Sequence, residues 1–154
     1  MARSSSNGPT KAAPARVFQA FSDPVAKAKW FKPPEGWRPE VQTMDFREGG
    51  RETSEGGPVD GPTILYDAVF QNIVRDQRIV SSYAMTVDSR QISVSLTTLE
   101  LRPIADGIHL VLTEQGVYFD GPEAPAMREH GIAEMLDVLG QDARVTRRPP
   151  LPAR

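Results

Sequence analysis

Apolar and polar side chains alternate along much of the chain between residues 41 and 117, whereas helical spacing of the apolar positions prevails before and after it. Near the start, Val17, Phe18 and Phe21 share one side of a short helix predicted over Pro14 to Phe21, with Pro14 in its first turn. "SDP" ends that helix, because Asp23 precedes a proline and is pushed out of the helical region. The Asp23 carboxylate can cap a second helix that begins at Pro24, reaches about Trp30 and stops before Pro33-Pro34. Two helices this short are not stable alone, so Trp30 and Phe31 must be buried against something. Either they plug one end of a core or they line the mouth of a pocket.

Strand signals follow. Val41, Thr43 and Asp45 alternate with Gln42, Met44 and Phe46, and "REGGRETSEGG" reads as a glycine-rich turn into a second strand. "TILYDAVFQNIV" (63–74) and "RIVSSYAMTV" (78–87) are joined by Arg75-Asp76-Gln77, a hairpin spacing. In "QISVSLTTLELRP" (91–103), Ile92, Val94 and Leu96 fall on one face and Ser93, Ser95 and Thr97 on the other. "GIHLVLTEQGV" (107–117) sets Ile108, Leu110 and Leu112 against His109, Val111 and Thr113. After Gly121-Pro122 the spacing becomes helical. Met127, Gly131, Ile132, Met135, Leu136 and Leu139 line one side of a helix from about Glu123 to Leu139, with Gly140 as stop signal.

Consecutive hairpins without crossover helices predict an antiparallel sheet. A curved meander needs its apolar concave face covered, and only the last helix is long enough. The expected fold is α+β: a curved antiparallel sheet wrapped around a long C-terminal helix, with two short helices after the first strand. One domain is expected over 13–140, preceded by a frayed segment or weak edge strand at 1–12 and followed by a disordered Pro/Arg-rich tail at 141–154.

Charge changes this picture little. The 154 residues carry 18 basic and 20 acidic side chains, a net charge of −2, with no basic face bearing stacking aromatics. No nucleic-acid partner is expected. Without cysteine there is no disulfide framework, thiol nucleophile or zinc–cysteine site. The two histidines, His109 and His130, stand in no metal-ligand spacing, so neither metal nor cofactor is expected. "MARSSSNGPTKAAPA" has no apolar run for a secretory signal, and no stretch is long enough to span a bilayer; a cytoplasmic protein is expected. "EGGRETSEGG" lies between strands rather than opening a helix, which makes it a turn and not a phosphate cradle. "PPLPAR" matches the P-x-x-P-x-R pattern of SH3 ligands, a motif short enough to arise by chance.

Five stretches carry a resemblance. "ARVFQAFSDPVAKAKWF" (15–31), "MDFREGGRE" (44–52), "FQNIVRDQRIVSSY" (70–83), "LTEQGV" (112–117) and "EHGIAEMLDVL" (129–139) resemble, in order, the activators of heat-shock-protein-ninety ATPase and their homologues, the Aha1-C-like family of the START-like (SRPBCC) superfamily. The resemblance implies a helix-grip fold with a cavity between sheet and long helix. It does not imply a reaction, since one fold hosts many functions.

The candidate cavity wall is Tyr66, Phe70, Tyr83 and Met85 on strands, with Leu96, Leu112, Met135 and Leu139; Trp30, Phe31 and Phe46 extend it. If the interior is solid, these are core residues. Two charged residues stand apart. Glu114 continues the apolar face of Ile108, Leu110 and Leu112, and Arg128 falls inside the apolar arc of the last helix. The ordinary expectation is that Glu114 reaches solvent at the strand end and Arg128 snorkels. If both point inward they can pair or orient a polar ligand group, because an unpaired buried charge is costly.

The leading reading is a non-enzymatic domain, monomeric or homodimeric, that binds a small apolar or amphipathic molecule. A second is a cyclase- or dehydratase-like enzyme with Glu114 or Tyr83 as general acid/base. A third is a chaperone-linked stress-response protein acting through its surface.

Overall fold

A computed structural model describes residues 2–10, 13–105 and 107–143. The chain runs β1 (Ala2–Thr10), α1 (Pro14–Ser22), α2 (Pro24–Ala28), β2 (Val41–Met44), β3 (Arg51–Gly56), β4 (Ile64–Val74), β5 (Arg78–Val87), β6 (Arg90–Ile104), β7 (Gly107–Tyr118) and α3 (Ala124–Ala143). The seven strands form one antiparallel sheet in the order β1-β7-β6-β5-β4-β3-β2. This is the predicted helix-grip arrangement. Hairpins join β2 through β7 in sequence, and β1 closes the far edge by pairing with β7. The segment carrying α1 and α2 therefore links the two outer strands of the sheet.

The break between the two short helices follows the sequence. Asp23 has extended backbone, its carboxylate accepts from the Val25 N–H at 2.9 Å, and Pro24 takes the first helical position. Val17, Phe18 and Phe21 pack inward with Phe70, Leu99, Leu101, Ile108, Leu110, Leu136 and Leu139.

Of the two alternatives for the polar N-terminal segment, residues 2–10 form an edge strand: β1 pairs with β7 from Ala2↔Gly116 to Thr10↔Ile108. Other expectations need correction. The glycine-rich stretch is not all turn, because β3 occupies 51–56 of it and pairs with β2 and β4. Gly140 does not stop the last helix, which continues to Ala143. Met127, placed on the helix's apolar side, is 70% exposed. The predicted tail beyond residue 143, with "PPLPAR", lies outside the described residues.

The largest correction concerns β6. Met85 pairs with Ser93 but Thr86 pairs with Gln91, so Ile92 is an extra residue in a bulge. Ile92 and Ser93 are consecutively buried, and the facing of every later residue is reversed. Ser93, Ser95 and Leu99 point inward, whereas Val94 and Leu96 emerge on the convex face, Leu96 with 42% exposure.

Candidate functional site

Between the concave face of the sheet and α3, under the α1–α2 segment, lies a cavity of about 440 Å³. One wall is a run of rings in successive contact. Phe21 meets Trp30 (centroids 4.8 Å apart), Trp30 meets Phe31 (5.9 Å), Phe31 meets Tyr66 (5.7 Å) and Tyr66 meets Tyr83 (4.8 Å). Trp30 is anchored as well as buried: its indole N–H donates to the Ala20 carbonyl at 2.7 Å. Ala20 lies in the last turn of α1, where carbonyls lack a partner within the helix. The Trp-Phe pair thus both caps the core and walls the cavity.

A polar cluster is built from register. Thr97 is opposite Glu114, Ser93 opposite Tyr118, and Tyr83, Ser95 and Gly116 form one row across three strands. Glu114, Gly116 and Tyr118 alternate onto the inner face of β7. Glu114 is 2% exposed. The Tyr83 hydroxyl donates to its Oε1, and the Tyr118 hydroxyl lies 3.4 Å from its Oε2. From α3, Arg128 donates through Nη1 to the Tyr83 hydroxyl (3.1 Å) and through Nη2 to the Ser93 hydroxyl (3.0 Å). Its guanidinium sits 5.2 Å from the Tyr118 ring centroid and 5.8 Å from that of Tyr83.

Gly116 makes this packing possible, since a Cβ there would meet Ser95 Oγ at 2.7 Å and the Tyr118 ring and hydroxyl at 3.0 Å.

Burial pushes the Glu114 carboxyl above its ordinary range; the Tyr83 hydrogen bond, the Arg128 charge and the Tyr118 hydrogen bond pull the other way without overcoming it. The Ser95 hydroxyl acts on Glu114 in that same lowering direction from a buried position, without a hydrogen bond of ordinary geometry. Tyr83 is raised by burial and then by the Glu114 charge, so its hydroxyl keeps its proton. The cluster offers carboxylate lone pairs and guanidinium N–H groups side by side, which suits a ligand group that both donates and accepts.

The expectation that Glu114 reaches solvent and Arg128 snorkels is therefore overturned: both face the cavity. The cavity also brings together Trp30, Phe31, Tyr66, Phe70, Tyr83, Met85, Leu112 and Met135. Three predicted members stand elsewhere. Leu96 is turned outward by the bulge at Ile92. Phe46 makes edge-on ring contacts with Phe18 and Phe70 outside the cavity lining, and Leu139 is fully enclosed in the core.

Sequence reading missed Ser93 and Ser95, because small hydroxyl residues beside Val94 and Leu96 read as the outer face. It also missed Lys27, Glu52 and Ser54. Lys27 and Glu52 form an ion pair with side-chain exposures of 13% and 5%. The Ser54 hydroxyl donates to Glu40 Oε2 at 2.7 Å, and all four line the cavity. Glu52 and Ser54 alternate with Arg51, Thr53 and Glu55, and an all-polar strand shows no period.

Residues 11–142 match the family Activator of Hsp90 ATPase homolog 1-like protein. The chain belongs to this family. Among solved structures it is 39% identical to the Mll3558 protein from Rhizobium loti, with a TM-score of 0.83 over 91% of this chain and 95% of that one. It is 35% identical to an uncharacterized protein from Rhizobium leguminosarum, with a TM-score of 0.81 over 94% and 99% of the two chains. Protein CV1439 from Chromobacterium violaceum is 27% identical, with a TM-score of 0.73 over 92% of this chain and 96% of that one. No curated protein matches the sequence. Membership of the Activator of Hsp90 ATPase homolog 1-like family supports a domain of ligand-binding type. Among the described residues no helix is long and apolar enough to cross a membrane.

Proposed function

We propose that the cavity binds a single small amphipathic molecule. Its apolar body lies against Trp30, Phe31, Tyr66, Phe70 and Met135, and a polar group meets Tyr83, Glu114 and Arg128. The observation that carries this reading is the convergence of a buried, hydrogen-bonded carboxylate and a guanidinium on an aromatic-lined space of about 440 Å³. That size and that mixture, mostly apolar with a few fixed polar groups, are those of small-molecule sites. A packed core has no use for such a space, and a charged cluster in it would be better replaced by apolar side chains.

Trp30 and Trp37 both line the cavity, so their emission reports its occupancy. The test is a titration with medium-chain amphiphiles, sterols and aromatic polyketides, followed by tryptophan emission and amide NMR shifts. Saturable changes confined to cavity residues are expected. A panel that perturbs neither signal, together with a bare-chain mass in native mass spectrometry of freshly purified protein, overturns the proposal.

A further inference from the structure

A second polar site in the same cavity indicates the chemistry of the ligand. In register, Glu52 on β3 is opposite Ala68 on β4, which is opposite Tyr83 on β5. Two strand spacings, roughly 10 Å, separate Glu52 from Tyr83 along the row. The side chain between them ends at the Cβ of Ala68.

We propose that this site receives a protonated amine, so that the bound molecule is an amine-bearing amphiphile with its nitrogen at Glu52 and its apolar body along Phe31 and Tyr66. The inference rests on the cavity-binding reading above.

The first ground is an orphaned oxygen. Lys27 takes Oε1 of Glu52, while Oε2 is buried with no hydrogen-bond partner, on a residue 4% exposed. Buried polar atoms are rarely left unpaired, and a carboxylate oxygen accepts only, so the missing partner must be a donor.

The second ground is charge. Glu40 also lines this part of the cavity and is held by Ser54 and by Gln42, whose Nε2 lies 2.8 Å from Glu40 Oε2. Among the described residues Glu40 forms no ion pair. Two carboxylates face the Lys27 ammonium here. Lys32, which also lines the cavity, is exposed, and Arg38 donates to the Gly56, Gly61 and Pro62 carbonyls, so a second cation balances the pair of carboxylates. An alcohol supplies a donor without the charge, and a carboxylate adds repulsion.

The third ground is a built approach. Gly56 lacks the side chain that would displace Glu40, whose Cγ lies 2.9 Å from the position of a Cβ there. The Phe31 ring already meets one cation, the Lys27 ammonium 5.0 Å from its centroid, and both residues line the cavity with Glu52.

The test uses three probes with one chain length, octylamine, octanol and octanoate, titrated calorimetrically into the purified protein at neutral pH. Octylamine is expected to bind about tenfold tighter than octanol, the effect of one charge-assisted hydrogen bond, with octanoate weakest. In Glu52→Gln that advantage should collapse. Glu40→Gln leaves the Lys27–Glu52 pair intact and should also reduce the advantage, so it decides the matter if Glu52→Gln does not fold. Equal binding of the three probes, a preference for octanol or octanoate, or an advantage unchanged in these variants overturns the amine site while leaving the cavity-binding reading standing. If none of the probes binds while other members of the wider panel do, the amine site falls alone; if nothing binds, both fall.

Discussion

Arg128, near the start of α3, and Tyr83, in the middle of β5, are hydrogen-bonded across the cavity with Nη1 3.1 Å from the phenol oxygen. The same guanidinium reaches Ser93 on β6, so one side chain ties the long helix to two strands.

Replacing Arg128 with Met removes both bonds and the cation over Tyr118 while keeping most of the apolar stem. A loss of about 2–3 kcal/mol is expected in urea denaturation. Arg128→Lys should recover little, because a compact ammonium cannot span two hydroxyls as the planar guanidinium does. Full recovery by lysine would show that charge alone matters.

The buried carboxyl predicts an unusual pH dependence. Burial raises Glu114 above its ordinary value of 4.5, so the folded protein holds that proton more tightly than the unfolded chain. Its favourable contribution is complete below 4.5 and is lost as pH rises through the higher folded value. Glu114→Gln has no such titration. Between about pH 4 and about pH 8, its urea midpoint should therefore gain on that of the native protein as pH rises. Parallel profiles would mean that Glu114 is not raised.

Gly116→Ala tests the packing beneath the cluster. The new methyl collides with Ser95 Oγ and the Tyr118 ring, and strand backbone cannot move away without disturbing the pairing to β6 and β1. A cost of about 1–3 kcal/mol is expected by thermal denaturation. Shifted amide resonances should centre on Ser95 and Tyr118.

The reversed facing of β6 supplies a paired comparison. Leu96→Ser should change stability by no more than about 0.5 kcal/mol, whereas Leu99→Ala should cost about 2–5 kcal/mol. Similar losses at both sites would contradict the bulge at Ile92.

How much could be read beforehand depended on whether a residue's chemistry matched its side of the sheet. Asp23-Pro24 fixed the break between α1 and α2 because both residues act locally on the backbone. Ile108, Leu110 and Leu112 identified the inner face of β7, and Glu114, two residues further along, followed it inward. The β6 strand misled because one inserted residue, invisible in composition, reversed the rule that apolar means inside. Glu52 was hidden for the opposite reason: its strand is polar on both faces, and only pairing with β2 and β4 shows which side is covered. The cavity was implied by family resemblance, since hollow and solid interiors use the same side chains.

The pairing of Ala2 with Gly116 joins residues far apart in sequence. During synthesis on a ribosome, β1 emerges first and has no partner until β7 has followed it. Such distant pairing makes the last edge of the sheet slow to form. The space between sheet and helix, which also needs α3, can therefore close only after both β7 and α3 have followed β1 out of the ribosome.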